Sequence, residues 1–169
     1  MEDSSFLPDY CRKKTLILGC GNRLFGDDGF GPAVIEHLIA NHAIPEDVYV
    51  MDVGTGVRKI LFTLTLAPGR PTAVVLIDAI DRGKKPGELF EVPVEDLPPE
   101  KQDDFSLHQV PSSNLAMELR KAGVDIHVLA CQIHHIPRNV SVGLSDPVRK
   151  AVPHLCSRIV TEFFTPASR

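Results

Sequence analysis

Long hydrophobic runs are missing from this 169-residue sequence. The longest strongly apolar stretch lies around residues 73–77, whereas a transmembrane helix needs about 20 predominantly apolar residues. The first residues are acidic and polar and lack the apolar core of a signal peptide. These absences predict a chain that does not insert into a membrane, and we expect it in the cytoplasm.

The sequence also lacks an excess of charge of one sign. Its 18 Lys and Arg residues and 22 Asp and Glu residues leave a formal net charge of −4. A domain that binds nucleic acid usually carries a basic surface that neutralises backbone phosphates, so we expect no nucleic-acid partner. Apolar residues are plentiful enough to exclude disorder, and the length suits one domain.

Cysteine is scarce and its spacing is uninformative for metal binding. The four cysteines form no C-x-x-C pair. Cys20 and Cys131 lie in apolar runs typical of strands, and Cys156 lies in a helical pattern. We therefore expect buried, reduced thiols rather than a disulfide framework or a zinc site.

Apolar runs typical of strands alternate with segments whose apolar residues recur at helical spacing. The predicted strands are Thr15–Cys20, Val48–Val53, Thr72–Ile77 and Val124–Cys131, with Glu88–Val94 as an edge strand because it contains Pro93. Four helices are predicted. The first begins after Gly29, the second covers Val57–Leu66, the third runs from Ser112 or Ser113 to Lys121, and the fourth begins after Ser145. This order predicts an α/β fold: one three-layer α/β/α domain over residues 15–165, with a mostly parallel twisted sheet and one antiparallel edge strand. Residues 1–14 form an N-terminal extension.

Carboxylates follow or end three of the predicted strands. Asp27 and Asp28 follow the first, Asp52 ends the second and Asp78 ends the third. In an open parallel sheet, ligands bind beyond the carboxyl ends of the strands, and His108 in the long loop after the edge strand could join them there. A single aspartate at such a place could equally satisfy loop amides, but several at one edge favour a site.

A nucleotide-binding interpretation of the first turn fails in detail. Gly19 and Gly21 suit a dinucleotide fingerprint, but Leu24 stands where the third glycine is required. The acidic pair after this turn would also repel a pyrophosphate. The sequence contains no G-K-[ST], H-E-x-x-H or G-x-S-x-G motif. Two carboxylates and an imidazole instead suit a cation such as nickel, zinc, iron or manganese, with an open position for metal-assisted hydrolysis.

Five landmarks occur in a fixed order along the chain. They are Leu18-Gly19-Cys20-Gly21-Asn22-Arg23-Leu24-Phe25-Gly26-Asp27-Asp28-Gly29-Phe30-Gly31, then Asp52-Val53-Gly54-Thr55-Gly56, Ile77-Asp78-Ala79-Ile80, Ser106-Leu107-His108-Gln109, and Pro137 with Gly143-Leu144-Ser145. The first is highly specific and the ordered set resembles the [NiFe]-hydrogenase maturation endopeptidases. Val53 departs from the pattern, since many members have glycine there.

The resemblance implies an endopeptidase that removes the C-terminal extension of a [NiFe]-hydrogenase large-subunit precursor after nickel insertion. It implies that Asp28, Asp78 and His108 are the catalytic and metal-contacting residues, with Asp52 and Asn22 in supporting roles. The implied metal is nickel carried by the substrate rather than held tightly by the free enzyme, and the implied enzyme is a monomer.

Several alternatives stay open at this point. The metal could act as a Lewis acid or only as a docking mark, and Asp52 could be a base or could organise its loop. The same three ligands would also serve a metallochaperone or assembly factor that inspects the nickel site without cutting. A small nucleotide-binding domain is the third interpretation, and the acidic first turn disfavours it.

Overall fold

Five strands form one twisted sheet in the computed structural model, which describes residues 7–97 and 113–164. The strands are β1 (Thr15–Cys20), β2 (Val48–Gly54), β3 (Ala73–Ile80), β4 (Leu89–Glu91) and β5 (Asp125–Gln132), and they lie side by side in the order β2-β1-β3-β5-β4. All neighbouring pairs are parallel except β4 with β5, which is antiparallel. The carboxyl ends of β1, β2, β3 and β5 therefore meet at one edge of the sheet.

Four helices cover the two faces of this sheet. They are α1 (Phe30–Asn41), α2 (Val57–Leu66), α3 (Ser113–Lys121) and α4 (Asp146–Phe163). Side chains alternate along each strand, so that Leu16 and Leu18 pack with α2 and α3 whereas Ile17 packs with α1 and α4. The predicted three-layer α/β/α arrangement with one antiparallel edge strand is thus confirmed.

Two glycines let α1 lie directly on the sheet. A Cβ atom at Gly31 would lie 2.2 Å from the carbonyl oxygen of Cys20 and 2.6 Å from that of Ile77, and a Cβ at Gly19 would lie 2.6 Å from the carbonyl oxygen of Gly31. Any larger residue would push the helix away from β1 and β3. This close contact places the turn before α1 over the carboxyl ends of those two strands.

The strands differ from their predicted bounds at the edge where the site lies. The predicted third strand stops at Ile77, but β3 continues to Ile80 because residues 78–80 still pair with β5. Asp78 consequently lies inside a strand rather than after it. The predicted edge strand is shorter in the structure, where β4 has three residues before Pro93. The last helix runs without interruption through Pro153.

Part of the predicted N-terminal extension packs against the domain. A short 3₁₀ helix covers Asp9–Arg12, its Cys11 side chain is buried, and Leu7 and Tyr10 lie against the core between the sheet and α2. The division of the chain at residue 14 stays a prediction.

All four cysteines are buried and unpaired, as expected from the sequence. Within residues 7–97 and 113–164, no helix is both long and apolar enough to cross a membrane.

Candidate active site

The turn after β1 is built to hold Asp28. Gly21 has a φ of +126°, and a Cβ atom there would lie 1.9 Å from the carbonyl oxygen of Asp28, so only glycine fits. The backbone N–H of Asn22 donates to Asp28 Oδ2 at 2.9 Å. The Asn22 side chain instead accepts a hydrogen bond from the N–H of Leu24 and shapes the turn. Asn22 therefore positions Asp28 through its backbone.

Asp28 and Asp78 are both buried at the carboxyl edge of the sheet, with exposed fractions of 0% and 3%. Asp78 Oδ1 accepts a hydrogen bond from the N–H of Ala79 at 2.8 Å, whereas Oδ2 is buried with no hydrogen-bond partner among the described residues. Burial raises the pKa of Asp78 well above its ordinary value, and the negative charge of Asp28 raises it further. The structure thus brings together two of the predicted site residues.

Such a pair favours a positive charge or a proton between its carboxyl groups. A buried carboxylate oxygen without a donor is costly, and a neighbouring carboxylate adds repulsion. A divalent cation would offset both effects, because its charge stabilises the ionised form of each group. Within the part of the chain that the structure describes, no three His, Cys, Asp or Glu side chains form a metal site. His108, the predicted third member, lies outside the described residues.

The neighbouring Asp27 has a structural role. It is fully buried and accepts four hydrogen bonds: from the backbone N–H groups of His134, His135 and Ser145, and from the Ser145 hydroxyl. These donors lie at both ends of the loop that connects β5 to α4. Ser145 is the N-cap residue of α4, but its hydroxyl bonds Asp27 instead of capping the helix. Asp27 therefore holds this loop beside the site.

Asp52 points toward the opposite face of the sheet from Asp78. Along β2, the Asp52 side chain has the same orientation as those of Val48 and Val50, which face α1 and α4. Along β3, Asp78 instead has the same orientation as residues that face α2 and α3. Asp52 Oδ1 accepts from the N–H of Gly54 at 2.9 Å, and Arg23 donates to Oδ2 at 3.3 Å. Through these contacts Asp52 bonds both its own loop and the turn after β1, and its predicted supporting role stays a prediction.

Arg23 and Gly54 connect Asp52 indirectly to the site. The N–H of Gly21 donates to the Gly54 carbonyl at 2.9 Å, so the end of β2 supports the turn that holds Asp28. Arg23 also donates to Glu36 and to the carbonyl of Pro32 in α1. Nothing in the local sequence pattern around Arg23 shows which carboxylates it meets, so its role could not be predicted.

Gln132 is a second residue that sequence reasoning missed. It is 3% exposed, and its side-chain oxygen accepts from the backbone N–H groups of Arg82 and Lys84 while its amide nitrogen donates to Asp81. A buried glutamine thus fixes the basic turn after β3. The available signal was a single amide side chain directly after the apolar residues 128–131 of β5.

Cys20 lies beside the aspartates but has the properties of a core thiol. It is buried, and burial raises its pKa well above the ordinary value, with a further increase from the charge of Asp78. A thiol in this state is poorly nucleophilic. The arrangement at the edge of the sheet is therefore suited to carboxylate chemistry.

The chain is similar to known proteins over most of its length. The hydrogenase maturation protease family model matches residues 32–162. A protein of Methanocaldococcus jannaschii, provisionally named a hydrogenase maturation protease, is 34% identical over 152 residues, which are 89% of this chain and 97% of that protein. The coenzyme F420 hydrogenase subunit delta of Methanothermobacter thermautotrophicus is 34% identical over 151 residues, covering 87% and 92% of the two chains.

Solved structures of similar proteins share the fold. The crystal structure of a hydrogenase 3 maturation protease superposes with a TM-score of 0.71 at 23% identity, covering 88% of this chain and 90% of that one. The [NiFe] hydrogenase maturation protease HycI of Thermococcus kodakarensis has a TM-score of 0.64 at 25% identity, covering 88% and 91%. The chain therefore belongs to the hydrogenase maturation protease family, and it is a hydrolase that acts in hydrogenase maturation by proteolysis.

Proposed function

We propose that this protein is a cytoplasmic endopeptidase that removes the C-terminal extension of a [NiFe]-hydrogenase large-subunit precursor after nickel insertion. The observation that supports this most is the buried pair Asp28 and Asp78, in which Asp78 Oδ2 has no donor among the described residues. Such a pair favours a bound cation, and the proposed substrate carries a nickel ion. Nickel is then part of the substrate rather than a resident cofactor.

Nickel recognition requires a third ligand, and we assign it to His108. The segment of residues 98–112 leads into α3, which packs on the face of the sheet toward which Asp78 points. Two carboxylate oxygens and one imidazole nitrogen form a donor set that suits nickel. Because all three contacts are made only with metallated precursor, cleavage depends on nickel insertion.

The cleavage step is hydrolysis of one peptide bond. Water attacks the scissile carbonyl carbon, a C–O bond forms and the C–N bond breaks, and the proton of the water passes to the departing amine. One carboxylate of the site would accept the proton of the water and return it to the departing amine. Nickel held beside the scissile bond would polarise the carbonyl or fix its position.

A processing assay tests this function. The protein is stripped of metal and mixed at substoichiometric amounts with precursors prepared with and without nickel, and the extension is followed by intact mass. We expect loss of the extension from the nickel-loaded precursor alone. Cleavage of both forms would refute nickel dependence, and binding without cleavage would show a metallochaperone that inspects the nickel site.

Matched histidine variants test the assignment of His108. We expect His108→Ala to abolish processing with its melting temperature unchanged, because the residue is assigned to the substrate nickel and not to the core. His154→Ala, at an exposed position of α4, is the control and keeps full activity. Normal processing by His108→Ala would remove this residue from the site.

We also propose that the enzyme is a monomer when it acts on its precursor. Sedimentation velocity of the purified protein is expected to give a mass close to 18.5 kDa.

A further inference from the structure

Three exposed apolar side chains lie together beside the buried aspartates. Leu24, Val140 and Val142 have exposed fractions of 47%, 64% and 73%. The N–H of Ser141 donates to the carbonyl of Leu24, and the N–H of Gly26 donates to the carbonyl of Ser141, both at 2.8 Å. These bonds form a parallel bridge that joins the loop before α4 to the turn that carries Asp28.

The loop over residues 134–145, here called the clamped loop, is rigidly anchored. Asp27 accepts hydrogen bonds from its first two residues and from its last residue, so one buried carboxylate closes both ends. Hydrogen bonds to a buried ionised group are stronger than those between neutral groups. The exposed valines at the centre of this loop are therefore held in a fixed position.

The valines flank the bridged residue Ser141 and lie at an exposed backbone edge of the loop. Both backbone groups of Ser141 face Leu24 and Gly26, so the peptide groups of Val140 and Val142 point the other way. Neither valine makes a hydrogen bond with any described residue. Leu24 immediately precedes Phe25, the residue bridged to Ser141, so its exposed side chain belongs to the same small surface as the two valines. The result is a short edge with free donors and acceptors and an apolar surface.

We propose that residues 140–142, together with Leu24, dock an extended segment of the precursor next to its scissile bond. This inference rests on the proposed function and names the substrate contact of the same site. An extended peptide can add to such an edge through its backbone, and apolar side chains at alternate positions would cover the valines. Leu24 and Asp28 belong to one turn, which connects this edge to the candidate active site.

Isosteric substitutions of the valines test the docking edge. The double variant Val140→Thr, Val142→Thr keeps side-chain shape and backbone preference but removes apolar surface. We expect KM for nickel-loaded precursor to rise about tenfold, equivalent to about 1.4 kcal/mol of lost binding, while kcat at saturation is unchanged. Unchanged KM, or a fall in kcat alone, would overturn the proposal.

A control variant on another surface separates docking from general effects of exposed apolar side chains. Phe62→Ser and Leu66→Ser alter similarly exposed residues of α2, with exposed fractions of 55% and 71%. We expect both to keep the wild-type KM, and an equal increase in KM would count against a specific edge. Melting temperatures of all variants confirm that the fold is retained.

Two further measurements distinguish this proposal from the proposed function and from self-association. Calorimetric titration with uncleaved precursor reports docking even if the wild-type protein cleaves nothing, and the double variant must then bind more weakly. Sedimentation of the wild-type protein and of the double variant shows whether a second copy of this chain occupies the edge. A wild-type dimer that dissociates in the double variant would overturn the assignment to the precursor.

Discussion

Two adjacent aspartates, Asp27 and Asp28, perform different tasks because their surroundings differ. Asp27 is saturated by four donors and shapes a loop, whereas Asp28 accepts the N–H of Asn22 and lies near Asp78. Spacing alone places both at the carboxyl end of β1 and does not separate them, and only the family resemblance points to Asp28. The donors that decide between them come from the distant loop before α4, which local sequence does not relate to this turn.

Replacing Asp27 with asparagine is expected to destabilise the fold. The amide would present N–H donors to backbone N–H groups that now meet a carboxylate, so at least one buried donor loses its partner. We expect a loss of about 2–4 kcal/mol in the free energy of unfolding, measured by urea denaturation. Asp28→Asn serves as the comparison and is expected to lose much less. A similar loss in both variants would contradict the distinction between the two aspartates.

Replacing Asp78 with asparagine is expected to stabilise the protein while it abolishes processing. The neutral side chain removes a buried charge whose pKa is raised by desolvation and by Asp28. We expect a gain of about 1 kcal/mol, seen as an increase in Tm of about 2–4 °C. A decrease in Tm, or retained processing of nickel-loaded precursor, would argue against a functional carboxylate held at the cost of stability.

The position of helix α1 depends on a close backbone contact that the pattern of apolar residues does not reveal. Its apolar spacing predicts a helix after Gly29, and the structure contains one over Phe30–Asn41. The distance between that helix and the sheet is set by Gly31, whose missing side chain lets the backbone approach β1 and β3. The pattern of apolar residues indicates which face is buried but gives no measure of how near the partner comes.

Gly31→Ala is expected to destabilise the protein, because the added methyl group would overlap backbone atoms that cannot rotate away. We expect a loss of at least about 2 kcal/mol by urea denaturation. Gly69→Ala is the matched control, since the nearest atom to its added Cβ is 4.0 Å away and its backbone needs no left-handed conformation. The control is expected to be neutral or slightly stabilising. Equal stability of the two variants would rule out close packing as the reason for glycine at position 31.

The short strand β4 is held to β5 partly by His127. Its Nδ1 lies 2.8 Å from Glu91 Oε1 in β4, and its Nε2 lies 2.9 Å from Asp125 Oδ2. Arg158 of α4 donates to the other oxygen of Glu91, and the Phe163 ring packs edge-on against the imidazole. Burial lowers the pKa of His127, but the hydrogen bonds to the two carboxylates outweigh it, and the pKa is raised.

The stabilisation from His127 is therefore expected to be lost at high pH. A histidine with a raised pKa in the folded state stabilises it fully below about pH 6.5, and this contribution disappears as the pH rises through the raised pKa. We expect His127→Gln to cost about 1 kcal/mol near pH 6 and much less near pH 9, measured by urea denaturation. An equal cost at both pH values would show that only packing is lost.

For the complete domain, the pattern of the sequence predicts the layers and most of the sheet. Strands with continuous apolar character alternating with amphipathic helices leave few arrangements other than a parallel sheet covered on both sides. The prediction was less accurate at the edge of the sheet. Asp78 interrupts an apolar run, which predicts the end of its strand, although pairing with β5 carries β3 further. Contacts between distant segments decide such details, and they leave no local signal.

The segment before β1 is expected to contribute to the stability of the whole domain. The Cys11 side chain is buried against the core, with Tyr10 and Leu7 beside it. We expect deletion of residues 1–12 to lower the free energy of unfolding by about 1.5–3 kcal/mol, the value of one large buried side chain. Deletion of residues 1–6 leaves these contacts intact and is expected to change little. Equal stability of the two truncated proteins would show that residues 7–12 only cover the surface.

The four hydrogen bonds to Asp27 also determine when the enzyme can first act. Their donors follow Asp27 by 107 to 118 residues, in the loop before the last helix. During synthesis on the ribosome, the turn with Asp28 emerges early but cannot reach its final form until residues 134–145 have left the exit tunnel. A nascent chain thus lacks an organised site, and proteolytic activity is delayed, until this distant loop has emerged and bonded to Asp27.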